Sequence, residues 1–183
     1  MRKFYSAAQI ITVENNLVAK AKKFSNEVFA TTNYADTNQT QTLKIRDDHF
    51  ISKIGEEAAK KILSRYGTVM GPDYTIYAGK EKSWNDDLFL NNIGIAVKTQ
   101  KRSAALRYSL SWIFQASHPR RDIILDKPEA WVVFVEFNDM VSDKFECKVF
   151  PPYQIKELIF GEPKLEYLKA HKKVVYANNL PAL

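Results

Sequence analysis

The sequence predicts an α/β domain built on a mixed sheet flanked by helices, with an N-terminal helical arm. Two features carry that expectation. Apolar residues recur at helical spacing in the first third of the chain, and short apolar or alternating runs dominate the remainder. The composition agrees: 45% hydrophobic, 13% aromatic and 26% charged residues suffice for a buried core and are too apolar for a disordered chain. A length of 183 residues fits one domain, with 1–42 as arm and linker and 43–183 as the core.

From Ala7 to Ala30, Ile10, Val13, Leu17, Ala21 and Phe24 lie at helical spacing, so this stretch is expected to be the first helix. Thr31 to Thr42 is rich in Thr, Asn and Gln and reads as a polar linker. A second helix is expected from Asp47 to Tyr66, capped by Asp47 or Asp48, striped by Phe50, Ile54, Ala58 and Ile62, and stopped at Gly67. Strands are expected at Tyr74–Tyr77, Asp87–Leu90, Ile93–Thr99, Ala130–Phe137 and Phe145–Phe150. A helix from Tyr153 to Phe160 and a short strand at Val174–Tyr176 complete the pattern.

The formal net charge of +6 and a pI near 9.2 favour an anionic partner, of which nucleic acid is the commonest. The single cysteine, Cys147, excludes a disulfide framework or a cysteine zinc cluster within one chain. No signal-like start and no apolar run of the ~20 residues needed to span a bilayer are present, so a soluble, cytoplasmic protein without a membrane partner is expected.

The chemistry concentrates in one hairpin. Asn91-Asn92 joins Asp87–Leu90 to Ile93–Lys98, and asparagine tolerates the positive φ angles of a two-residue turn. That turn sets Leu90 opposite Ile93, Phe89 opposite Gly94, Leu88 opposite Ile95 and Asp87 opposite Ala96. Alternation buries Leu88, Leu90, Ile93, Ile95 and Val97 and displays Asp87, Ala96 and Lys98 on the other face. Opposed residues have Cβ atoms roughly 4.5–5.5 Å apart, so carboxylates at both positions could share a divalent cation. Mg²⁺ takes one or two carboxylates with water and phosphate, and a neighbouring ammonium can stabilise a phosphoryl transition state. The face suits phosphodiester hydrolysis with one ligand missing. An ordinary surface hairpin satisfies the same pattern, and the hairpin alone does not separate the two.

Three segments, in order along the chain, resemble the PD-(D/E)xK nuclease superfamily. Ile95-Ala96-Val97-Lys98-Thr99-Gln100 is similar to its (I/V)-E-V-K-(T/S)-Q strand, with alanine where the acid belongs. Asp87-Leu88 is similar to the acid that opens the preceding strand, and Gly55 to Leu63, ending at Gly67, is similar to the helix before the core. The resemblance implies a restriction-endonuclease-like fold and Mg²⁺- or Mn²⁺-dependent hydrolysis of double-stranded DNA. It implies metal ligation by Asp87, by the residue at 96 and by Glu56, with Glu57 the alternative, and a catalytic role for Lys98. A type II restriction endonuclease acting as a homodimer is the first expectation. A Holliday-junction resolvase, or a naturally inactive DNA-binding relative, would share the motifs. Ala96 implies a chain inactivated either by replacement of the glutamate in an otherwise retained site or by natural loss.

Gln100 extends the face of Asp87, Ala96 and Lys98 and could orient water or phosphate, or be an exposed strand end. Lys101, Arg102, Arg107, Arg120 and Arg121 follow the site and are candidates for phosphate contacts or a solvated charged surface. Asp73, in a Pro-Asp turn, and Asp86, facing away from Asp87, are lesser candidates. Trp84, Trp112 and Trp131 read as core, and His49, His118 and His171 have no metal spacing.

Overall fold

The computed structural model describes residues 5–31, 42–77, 86–118 and 121–182. In chain order come β1 (Gln9–Thr12), α1 (Asn15–Thr31), α2 (Thr42–Leu63), β2 (Val69–Met70), β3 (Leu88–Leu90), β4 (Ile93–Lys101) and α3 (Arg102–Tyr108). There follow β5 (Ser111–Gln115), β6 (Trp131–Phe137), β7 (Glu146–Val149), β8 (Tyr153–Gln154), α4 (Glu166–Lys169) and β9 (Lys172–Tyr176).

Seven strands form one mixed sheet in the order β1-β7-β6-β4-β3-β2, with β8 also paired to β6. β4 and β6 run parallel and the other neighbours antiparallel, while β5 and β9 make a separate antiparallel pair. A parallel pair needs a crossover, and α3 with β5 occupies it. Val132, Val133, Phe134 and Val135 of β6 are all fully buried, because the sheet is covered on both faces. On one face Ile54, Ala58 and Ile62 of α2 pack with Leu88, Ile95, Val133 and Val135. On the other, Trp112, Phe114 and Val175 of the β5–β9 pair pack with Val132 and Phe134. Trp112 stacks on Phe134 at 4.4 Å and donates its indole N–H to the Val135 carbonyl at 2.9 Å. Each such apolar side chain contributes about 1.5–3 kcal/mol on burial.

The hairpin turn and register follow the sequence pattern. Asn91 and Asn92 hold φ of 47° and 67°, and Leu88, Phe89 and Leu90 pair with Ile95, Gly94 and Ile93. Ile93 departs from the pattern: beside the turn it is 47% exposed instead of buried. The opposite face is not a solvent face either, since Ala96 packs against the aromatic cluster under β5–β9.

Four expected elements are corrected. The N-terminal stretch is not one helix: Ile10, Ile11 and Thr12 are β-branched and pair with β7, from Gln9↔Val149 to Thr12↔Glu146, so helix begins only at Asn15. Helix α2 starts at Thr42, which places Asp47 and Asp48 inside it and not at its cap. Tyr74–Tyr77 joins no ladder among the described residues, and the strand described in that region is the shorter β2. Tyr153–Phe160 forms β8 and a 3₁₀ turn at Ile155–Glu157, closed by reciprocal bonds between Gln154 and Glu157, and no α-helix. Most of the expected linker, with Trp84 and Arg120, lies outside the described residues. Among the described residues no helix is long and apolar enough to cross a membrane.

Candidate active site

The site begins just before the first residue of β3. The ladder between β3 and β4 stops at Leu88↔Ile95, which leaves the Val97 N–H without a strand partner on that side. The Asp87 carboxylate takes that place, its Oδ2 accepting from Val97 N at 2.7 Å. Asp87 is therefore not the ladder partner of Ala96 that the alternation predicts; it turns onto the main chain of β4 just past the paired region.

Helix α2 crosses β4 at Gly55. A Cβ at that position would lie 1.8 Å from Thr99 Oγ1, so only glycine permits so close an approach. The approach presents the next residue, Glu56, to the end of the hairpin. Glu56, Asp87, Lys98, Thr99, Gln100 and Ser111 line one open cleft of about 360 Å³, with Ser52, Val97, Trp112 and Ile113. Glu57 points elsewhere and accepts from Tyr74 Oη at 2.9 Å. Ala96 is not among the lining residues; its neighbour on the same strand face, Lys98, is.

Two carboxyls in this enclosure disfavour charge. Burial, and then the charge of Asp87, pushes Glu56 up to about 8 against the opposing pull of Lys53, whose Nζ lies 2.6 Å from Glu56 Oε2. Burial also raises Asp87, opposed by its bond from Val97 and by the ammonium groups of Lys98 and Lys53. Lys53 is itself enclosed, lying over the rings of Phe24 at 5.1 Å and Tyr74 at 5.5 Å. Among the described residues no three His, Cys, Asp or Glu side chains form a metal-holding group. The donor chemistry present nonetheless fits Mg²⁺, which needs only one or two carboxylates and completes its shell with water and phosphate oxygens. A cation between Glu56 and Asp87 would relieve the repulsion that Asp87 adds to the burial of Glu56.

Lys98 leans across the cleft, donating to Asp122 Oδ2 at 2.7 Å with its Nζ 4.9 Å from the Phe114 ring centroid. Gln100 is tied to β5: its Oε1 accepts from the Ser111 N–H at 2.8 Å. Most of the expected phosphate contacts are engaged within the chain. Lys101 pairs with Asp47, Arg102 with Glu136 at 3.0 Å, and Arg121 with Asp126 at 2.7 Å. Arg107 is exposed on α3, its guanidinium over the Tyr108 ring. Asp73 is exposed, bonded to Tyr77 Oη at 2.6 Å and to the Thr75 N–H, and is not a cleft residue. Exposed Asp86 packs against Gly94, also outside the cleft lining.

The sequence reading missed Ser52, Lys53 and Asp122. Ser52 and Lys53 precede Glu56 by one helical turn, so projection along α2 would have found them. Asp122 carries no local signal, because it lies in the connection after β5 and its partner Lys98 is on β4. Comparison with family models, curated proteins and solved structures found no match to this chain.

Proposed function

We propose that the chain carries the metal-ion site of a PD-(D/E)xK nuclease on a restriction-endonuclease-like core, for endonucleolytic hydrolysis of double-stranded DNA. The observation that supports this most is the convergence of Glu56 from α2, Asp87 from just before β3 and Lys98 from β4 on one cleft. Glu56 and Asp87 are the residues that would hold Mg²⁺. When bound, the ion would lower the pKa of a water and offset charge on the phosphate. The side chains themselves bring two anionic oxygen donors and one ammonium together. Lys98 can neutralise charge that builds on a phosphate oxygen, and the Asp122 carboxylate holds its ammonium at the cleft until substrate competes for it. Cutting both strands requires two such sites, and a two-fold dimer is the simplest way to supply them.

Ala96 removes a ligand from this scheme, and that favours a second reading for the chain as it stands: a duplex binder that does not cut. Restoring the acid separates the two. Supercoiled plasmid incubated with the Ala96→Glu protein and Mg²⁺ is expected to be cleaved, with discrete fragments indicating a restriction-type enzyme. Preference for a four-way junction over linear duplex would indicate a resolvase. Intact plasmid with Mg²⁺ and with Mn²⁺, from a protein whose fold is unchanged, would leave only the non-cutting reading.

A further inference from the structure

Beyond Lys98, the elements that flank the cleft carry a further group of charges. Lys44, Asp48, Ser52 and Glu56 follow one another at four-residue spacing on α2, so they share one face of the helix. Ser52 and Glu56 line the cleft, and the same face runs on to Asp48 and Lys44. Opposite stands the end of the β5–β9 pair, where Gln115 faces Lys172 in the ladder. Asp122 is fastened there: its Oδ2 accepts from the Gln115 N–H at 3.2 Å, and its own N–H donates to the Gln115 carbonyl at 2.9 Å. The same Oδ2 holds Lys98 at 2.7 Å.

Lys172 belongs to the same group of charges. Half-buried, its ammonium is held below the usual lysine range by burial and then by Lys44, with Lys98 adding to the effect and Asp48 and Asp122 opposing it. Lys44, Lys98, Asp48 and Asp122 are thus all close enough to act on the Lys172 charge. Lys98 occupies Asp122, and among the described residues no ion pair engages Lys172. A half-enclosed lysine beside the Lys98–Asp122 pair, with no ion pair of its own among the described residues, is placed for an anionic ligand.

We propose that Lys172 binds a backbone phosphate of the nucleic acid, away from the bond to be cut, and so fixes the direction in which the strand enters the cleft. Its neighbours Asp48 and Lys44 lie about 12–18 Å along α2 from Glu56, at 1.5 Å per helical residue. At 3.4 Å per nucleotide, that places the contact about four or five nucleotides from the reacting phosphate. This role rests on the nuclease reading of the cleft.

The test measures binding of a fluorescently labelled DNA duplex to the unaltered chain in EDTA, by anisotropy across a salt series. Lys172→Gln is expected to weaken binding several-fold and to reduce the slope of log K against log salt by about 0.9, the value of one lost phosphate contact. Lys172→Arg, which keeps the charge, is expected to retain affinity and slope. Lys156→Gln, altering a surface ion pair with Glu129 remote from the cleft, is the control. If the unaltered chain binds duplex and Lys172→Gln keeps both affinity and slope, the role of Lys172 is overturned while the nuclease reading stands. Equal weakening by Gln and Arg with no change of slope also overturns it, since that marks a packing defect. If the unaltered chain binds no duplex at all, both fall.

Discussion

Replacing Gly55 with alanine probes the contact that seats the site. The added Cβ would lie 1.8 Å from Thr99 Oγ1, 2.9 Å from Thr99 Cβ and 3.0 Å from Thr99 Cγ2. Rotation of Thr99 about χ1 moves its γ atoms but not its Cβ, so α2 and β4 have to separate. Overpacking of this kind costs about 1–3 kcal/mol, and a forced backbone shift places it at the upper end. Alanine recovers about 1 kcal/mol of helix propensity over glycine. The expected net effect is a loss of about 2 kcal/mol, or a Tm lower by about 4–8 °C for a chain of this size. Urea and thermal denaturation followed by circular dichroism measure it. Adding Thr99→Ala removes the two γ atoms, so part of the loss should return as a coupling energy of at least about 0.5 kcal/mol. If Gly55→Ala stabilises the protein by about 1 kcal/mol, as at an open helix position, the close crossing of α2 over β4 is refuted.

Other outcomes follow from the same residues. The carboxyl of Glu56 moves from an ordinary 4.5 up to about 8 on folding, so its contribution to stability is full below pH about 4.5 and is lost as pH rises through about 8. Glu56→Gln should therefore gain stability relative to the unaltered chain across that window, as measured by denaturation at several pH values; a difference independent of pH would show that Glu56 is not enclosed. Among the described residues the buried hydroxyl of Thr99 has no hydrogen-bond partner, so Thr99→Val should be neutral or stabilising by about 1 kcal/mol. A large loss in that variant would reveal a partner for the hydroxyl.

The hairpin was legible because its determinants are local: a two-asparagine turn and strict alternation fix φ and register without help from the rest of the chain. The stripe of Ile54, Ala58 and Ile62 was legible for the same reason. At the N-terminus a helical repeat running from Ile10 to Phe24 hid a strand, because the pairing of β1 with β7 depends on residues near the other end of the sequence. Tyr153 follows two prolines and pairs with β6, a tertiary contact that overrides the apolar spacing read as helix. At the site, the chain order of Glu56, Asp87 and Lys98 could be read from motif spacing, and the three meet in the cleft. Their direct partners could not be read. The Val97 N–H that fixes Asp87 and the Asp122 carboxylate that holds Lys98 exist only where β3 starts and β5 folds back.

The most direct measurement is an anomalous difference map from a crystal of the Ala96→Glu protein soaked in Mn²⁺. A single peak between the Glu56 and Asp87 carboxylates is expected, absent from the Asp87→Asn form. A well-ordered cleft without a peak, or a peak only at a surface carboxylate elsewhere, would contradict the assignment of this cleft as a metal-ion site.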